Sequence, residues 1–327
     1  MTTIAASSRR LLRHARREPA VPAVYVVLAI MVVVYAVLDP SILNSDRATI
    51  VLAEKLPLVL AVVGQTIVFL TRGIDLSVGG IVTLTNVVIA TQMGQGFGGI
   101  AVGVAIGLLV GIAAGVANGC LVGLVRLPPI IATLATWSIL EGLALYVLPQ
   151  PGGSVPIAFG DFPLRTFFSV PFPLILMVVL PLIFWGPVRY SRLGHAIYAV
   201  GSDEQAAYTS GLSVAFTKIV AYAMSGFFAA LAGVFLTMQA LSGDPRIGES
   251  FTLDSIAATV LGGTLLAGGR GGVLGPIAGA LVLGLLSDLL FFTGARPDWE
   301  YVISGAVLVI ALVVSTLGRR ISGEQSR

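Results

Sequence analysis

Apolar residues run through this chain in long blocks separated by short punctuation of glycine, proline and charge. Read in order, the blocks predict ten spans at 22–38, 49–70, 76–93, 98–123, 130–148, 171–188, 217–240, 254–268, 272–292 and 300–317. A membrane helix needs about 20 residues, within roughly 17–25. The third and eighth blocks are short or interrupted by glycine. If they re-enter rather than cross, eight full crossings remain. The pattern predicts an all-α integral membrane protein, a polytopic helical bundle of about ten spans (eight to ten).

Charge orients the bundle. With the N-terminus inside, Arg9, Arg10, Arg13, Arg16, Arg17, Arg72, Arg126, Arg189, Arg192, Arg270, Arg319, Arg320, Arg327 and Lys218 fall on the inner side. Only Arg47, Arg165, Arg246 and Arg296 fall outside, and Lys55 lies within the second span. That asymmetry obeys the positive-inside rule and places both termini in the cytoplasm. Trp185 and Trp299 fall near expected interfaces, whereas Trp137 is expected to pack inside.

Composition agrees. Hydrophobic residues make up 56% of the 327 and charged residues only 11%, against about 25% charged in soluble domains. Glycine, at 39 residues, points to closely packed helices. The single cysteine, Cys120, excludes an internal disulfide, and the net charge of +3 is sorted by membrane side rather than gathered for nucleic acid. The run Val24–Leu38 imitates a signal peptide but ends in Asp39-Pro40 without a small-residue cleavage site, so it is read as an uncleaved first span. Domain organisation follows: a basic tail over 1–20 attracted to anionic lipid, one transmembrane domain over 21–318, and a tail over 319–327.

Candidate chemistry begins with GIDLSVGG at 73–80, an aspartate and a glycine cluster between two apolar runs. Burying the charge costs about 2.5–3.5 kcal/mol on insertion scales, and a broken backbone needs partners from the protein. Three roles stay open for Asp75: capping the next helix at Ser77–Gly79 with Arg72 as partner, coupling, or substrate contact. Gln65, Asn86, Asn118 and Glu141 are candidates for a polar path or for interhelical hydrogen bonds, as is Asp288; Glu54 and Lys55 are expected to lie at the interface or to screen each other. A weak echo relates TRGIDLSVGG (71–80) to GGRGGVLGP (268–276), as in duplicated interrupted hairpins. The outer loop Pro149–Val170 reads as an ordered cover.

The longest inner connector is 189–216. There Ser202 and Gln205 have capping-box spacing, Asp203 and Glu204 occupy a first turn, and Gly211 suits a stop. A helix over Asp203–Ser210 is predicted. His14 and His195 make no metal site, no nucleophile–base pair stands out, and neither Lys55 nor Lys218 lies in a phosphate-binding loop motif.

Gln205-Ala206-Ala207, three residues, then Gly211 resembles the Glu-Ala-Ala-x-x-x-Gly loop by which ATP-binding-cassette permeases dock onto their ATPase. AVGSDEQAAYTSGLSV (199–214), GIDLSVGG (73–80), NGCLVGLVRLPPIIATLATWSI (118–139) and LDSIAATVLGGTLLAGGRGGVLGPIAGALVLG (253–284) resemble, in order, segments of the ribose/xylose/galactose-type permeases of the branched-chain amino acid/ribose permease superfamily. The likeness covers about 50–315. It implies a permease subunit, not an enzyme, in the bacterial inner membrane. The implied partners are a second copy of itself, an ABC ATPase that uses the ATP, and an extracytoplasmic sugar-binding protein. No cofactor or metal is expected on this chain.

On this reading Ser202, Asp203, Glu204, Gln205, Ala206, Ala207 and Gly211 couple to the ATPase, while Asp75, Ser77, Gly79, Asn86, Asn118, Glu141 and Arg270 belong to the gate or path. The chain departs from the family at Ser202-Asp203 (usually Gly-Asn), Tyr208-Thr209 (often Arg-Leu) and Glu141-Gly142 (often Arg-Gly). The alternative is a proton-coupled secondary transporter using Asp75, Glu141 and Asp288. A membrane enzyme is disfavoured by the scarcity of His, Cys and Lys.

Overall fold

The structure, a computed structural model, describes residues 20–294 apart from 169, with isolated positions between 296 and 313. The tails over 1–19 and 319–327 and two thirds of the tenth expected span fall outside the described residues. In chain order the elements are α1 (Ala20–Leu38), a 3-10 turn (Pro40–Leu43), α2 (Ser45–Leu70), α3 (Val78–Gln92), α4 (Gly96–Gly123), α5 (Pro129–Val147) and the single turn α6 (Ile157–Gly160). A two-residue hairpin follows, β1 (Thr166–Phe167) against β2 (Val170–Pro171). Then come α7 (Phe172–Tyr190), α8 (Arg192–Ser202), α9 (Glu204–Thr209), α10 (Val214–Ala240), α11 (Phe251–Leu261) and α12 (Leu274–Phe292).

Among the described residues, α1, α2, α4, α5, α7, α10 and α12 are long and apolar enough to cross a membrane. The third and eighth predicted spans shrink to α3 and α11, of 15 and 11 residues. At 1.5 Å per residue they reach about 22 and 16 Å, short of a hydrocarbon core about 30 Å thick. Helices α2 and α10 form the buried centre, while α1, α5 and α7 turn broad apolar faces outward.

Glycine decides how closely the central helices approach. In α4, seven glycines recur every fourth residue from Gly99 to Gly123, a single stripe along one face. Gly107 faces Ile89 and Thr85 of α3; Gly111, Gly115 and Gly119 face Gly226, Tyr222 and Ile219 of α10. A side chain at Gly226 would in turn meet the Gly111 carbonyl and the Gly115 backbone. Without a hydrophobic force between helices in lipid, such close van der Waals contact is what holds them together.

Two polar defects in α2 are repaired by neighbours. Pro57 lacks an N–H, so the Ala53 carbonyl loses its helix partner; Gln239 of α10 donates its Nε2 to that oxygen at 2.7 Å. Lys55 pairs with Asp288 of α12 at 2.6 Å and lies 3.6 Å from Glu54, so the expected screening is present with a further, interhelical partner.

Other expectations shift. Segment 189–216 holds two helices rather than one. Helix α8 buries Ala196, Ile197 and Val200 along one stripe and starts at Ser191, whose Oγ accepts from the Leu193 and Gly194 amides. Trp185 is 4% exposed, because α7 turns it inward with Met177 and Pro181. The outer loop is ordered as expected: Gly152 and Gly243 exchange backbone hydrogen bonds, the Ser154 amide donates to the Ala90 carbonyl, and Phe159 is buried.

Gly226→Leu should lower stability by at least about 1–3 kcal/mol, the usual cost of overpacking, whereas Gly98→Ala, with open space at its Cβ, should not. Gln239→Leu should cost about 1–3 kcal/mol by stranding the Ala53 carbonyl. Thermal unfolding of the detergent-solubilised protein measures all three.

Candidate functional site

Two irregular segments enter the bundle from opposite ends and meet inside it. Residues 71–77 lead from α2 into α3, and 241–250 lead from α10 into α11. The Gly79 amide donates to Thr252 Oγ1 at 3.1 Å, the Gly248 amide to Thr83 Oγ1 at 3.0 Å, and Thr252 Oγ1 to the Leu76 carbonyl at 3.3 Å. Glycine at 79 and 248 is required because a side chain on either would strike the other's carbonyl. The sequence echo is thereby corrected. The interrupted partner of 71–80 is 241–252, while 268–273 only turns the chain into the full-length α12.

Asp75 is fully buried. Its Oδ1 accepts from the Ser77 amide at 2.9 Å and the Ser77 hydroxyl at 2.6 Å, and its Oδ2 accepts from Ser225 of α10 at 2.8 Å. Asn118 of α4 donates to Ser77 Oγ at 2.7 Å. Of the three roles considered, the geometry contains the capping contact, but its partners are hydroxyls and not Arg72, which is exposed with φ +63°. Tyr222 donates to the Ile74 carbonyl and Thr133 of α5 accepts from the Leu76 amide, so α4, α5, α10 and α11 all meet the irregular segment.

At the end of the bundle holding α8 and α9, three turns interlock. The Gly269 amide donates to the Leu70 carbonyl at 3.1 Å, Gly268 rests on Arg72, and Gly269 rests on Ser202. Tyr198 of α8 donates to the Gly271 carbonyl at 2.9 Å, and Arg189 lies over the Tyr198 ring. Arg270 is an exposed member of this layer.

Helix α9 is capped by Asp203, whose Oδ1 accepts from the Ala206 amide at 2.9 Å. The expected Ser202 cap is wrong: Ser202 ends α8 and donates back to the Tyr198 carbonyl, leaving the next residue to open the new helix. Gly211, at φ +82°, closes α9 as expected, with its amide on the Tyr208 carbonyl and the Leu212 amide on the Ala207 carbonyl. Asp203, Glu204, Gln205, Ala206 and Gly211 are exposed, whereas Ala207 packs inward. Glu204 reaches Lys218 of α10 at 2.7 Å.

The remaining candidates separate. Asn86 is spent as a clamp, donating to Thr237 Oγ1 and the Ser242 carbonyl and accepting from the Asp244 amide. Gln65 is fully buried with neither amide atom paired, and Asn118 Oδ1 is likewise without a partner. Asp288 is drawn to Lys55. Glu141 is half-buried on α5, away from Asp75's hydroxyl cage.

The comparisons with known proteins agree with a helical, membrane-spanning fold. The family model described as branched-chain amino acid transport system / permease component matches residues 48–312. The chain belongs to that permease family. The ribose import permease of Bacillus subtilis (strain 168) is 38% identical over 290 residues, 88% of this chain and 90% of its own length. The ribose import permease of Escherichia coli (strain K12) is 34% identical over 294 residues, 88% and 91% of the two chains. The fructose import permease of Rhizobium meliloti is 33% identical over 318 residues, 93% and 86% of the two chains. No solved structure matches. With seven helices among the described residues long and apolar enough to cross a membrane, this permease is a multi-pass membrane protein.

Ser225, Thr252, Thr83 and Thr133 of this permease, and the pairing of Lys218 with Glu204, escaped the sequence reading. Hydroxyl side chains in apolar helices usually bond their own preceding turn, so nothing local marks those that reach another helix. The glycine stripe of α4 was read only as an overall glycine excess, although its fourfold spacing stands in the sequence. Asp75→Ala should lower stability by about 1–3 kcal/mol for each donor it strands. Asp75→Asn keeps an acceptor for Ser77 and offers its amide to Ser225, so its thermal unfolding should return close to wild type.

Proposed function

We propose that this permease is the membrane subunit of an ATP-binding-cassette importer that carries a monosaccharide or related polyol. A separate ATPase drives it from the cytoplasm, and an extracytoplasmic binding protein delivers the solute. The relatives' names, which specify ribose and fructose import, support the substrate class. The observation that carries the coupling assignment is α9, a capped, exposed helix tied to α10 through Glu204 and Lys218. Ser225 lies seven residues further along α10, about 10 Å at 1.5 Å per residue, and holds Asp75. A push on α9 therefore bears on the same helix that grips the broken segment.

In this reading residues 21–318 form one permease domain of eight to ten spans in the bacterial inner membrane, with both termini cytoplasmic. Two copies pair above two ATPase domains. The interlocked turns at Leu70–Arg72, Gly201–Ser202 and Gly268–Arg270 form the cytoplasmic half of the gate. Asp75, Ser77, Gly79 and Asn118 brace the centre, and Asn86 braces the outer half. Alternating access follows when ATPase closure moves α9 and tilts α10.

Purified permease reconstituted with its ATPase and binding protein should take up sugar only with ATP. Uptake that persists without the ATPase and collapses with a proton uncoupler would overturn the reading. Ala206→Trp should reduce ATPase co-purification and uptake about tenfold, equivalent to about 1.4 kcal/mol of docking energy, without changing the unfolding temperature. Gly211 is the poorer probe, since any side chain there strains the φ +82° closure of the helix itself.

A further inference from the structure

Helix α2 meets the start of α11 and the second half of α12 around a cavity of about 140 Å³. That is room for about five waters at roughly 30 Å³ each. Glu54, Lys55, Ser250, Asp254 and Ser287 supply its polar wall, and Leu58, Phe251 and Leu283 its apolar one. Lys55 lies ten residues into α2, about 15 Å, and another 15 residues, about 22 Å, before the interlocked turn at Leu70. The cavity is therefore well inside the bundle, beside the point where the 241–250 segment becomes helical again.

Within it Lys55 is held in place but not used up. Gly284 of α12 makes room for its stem, since a side chain there would begin 2.7 Å from Lys55 Cδ. The ammonium has three protons to give. One goes to Asp288 Oδ1 at 2.6 Å, while Glu54, at 3.6 Å, lies beyond hydrogen-bond reach. Among the described residues no further acceptor meets it. Beside the pair, Asp288 Oδ2 is buried without a partner, and the Ser250 hydroxyl, at the cap position of α11, makes no capping bond. Ionisable groups at depth in a spanning helix are costly and mark solute paths by default. Glu54 is half-exposed, so the cavity can be reached from outside the bundle.

We propose that this cavity binds the transported polyol, with Lys55 donating to one hydroxyl while Glu54 and Asp254 accept from its neighbours. The inference rests on the sugar-import reading and adds the place where the solute is held. Three carboxylates, Glu54, Asp254 and Asp288, against one ammonium disfavour an anion. Among the described residues no group of His, Cys, Asp and Glu could hold a metal ion. The wall therefore suits a neutral ligand that both donates and accepts, as vicinal hydroxyls do. Phe251, Leu58 and Leu283 meet the carbon-bound hydrogens of such a ring, an apolar lining with a few placed polar groups.

The test places a cysteine in the cavity wall and asks whether sugar shields it. Ser250→Cys permease in a Cys120→Ala background is assembled with its ATPase and saturating binding protein in proteoliposomes, then treated with a small methanethiosulfonate. The probes are D-ribose, D-fructose and D-allose, after the sugars in the relatives' names. A transported sugar should slow labelling at Ser250→Cys about tenfold, the shielding given by about 90% occupancy. Labelling at Gly98→Cys, in open space on α4, should not change. Lys55→Met and Asp254→Asn should each lower sugar moved per ATP hydrolysed about tenfold, in line with loss of one charged hydrogen bond. A merely weakened fold would lower transport and hydrolysis together, leaving that ratio unchanged, and that result overturns the proposal. So does a Ser250→Cys thiol that never reacts, or one that no transported sugar shields. Should Lys55→Met fail to accumulate because Asp288 loses its partner, Asp254→Asn and the shielding assay still decide, with the ion pair intact. If the wild type moves none of the three sugars, the sugar reading itself falls and the site's ligand with it. ATP-driven transport without shielding removes the site alone.

Discussion

Within a bilayer an open backbone amide has no water to turn to, and this constraint governs the centre of the permease. Segments 71–77 and 241–250 leave helical geometry inside the bundle, so their polar groups need partners from other helices. Thr252, Thr83, Thr133 and Tyr222 supply side-chain oxygens for the Gly79, Gly248 and Leu76 amides and the Ile74 carbonyl. Each of these bonds joins elements distant in sequence. The broken helices are therefore the points through which α3, α5, α10 and α11 are tied together.

Asp75 extends the same logic to a charge. A carboxylate surrounded by Ser77 and Ser225 has its oxygens occupied without any cation, and Asn118 completes the cage through Ser77. Glycine then sets the distances at which this works. The stripe in α4 and Gly226 in α10 let the two backbones close up until Asn118 and Ser225 approach the same aspartate from two helices. Enlarging one glycine would loosen the polar cage as well as the apolar contact.

The same helix connects centre and surface. Helix α10 carries Lys218, which holds the exposed α9, then Ser225, then Thr237 and Gln239, which reach α3 and α2. A rigid element making polar contacts at several levels moves as a body or not at all. That is the physical requirement for transmitting an event at one end of a bundle to its middle.

Hydrophobic blocks of bilayer length were enough to read the all-α membrane class and seven of the ten expected spans from residue order alone, because a run of about 20 apolar residues matches the hydrocarbon core. The sequence also determined the stop of α9 at Gly211, a position whose backbone sense only glycine adopts freely. It located Asp75 and Gly79 as exceptions, and it contained the α4 stripe in plain periodicity. What it could not supply were the partners. Whether Asp75 faced Arg72 or Ser225, whether Asp203 or Ser202 opened α9, and which residue covered the Ala53 carbonyl left bare by Pro57 were settled only by packing. The reason is geometric. Periodicity fixes the face on which a side chain lies, but the distance to a residue 150 positions away follows from helix contact alone.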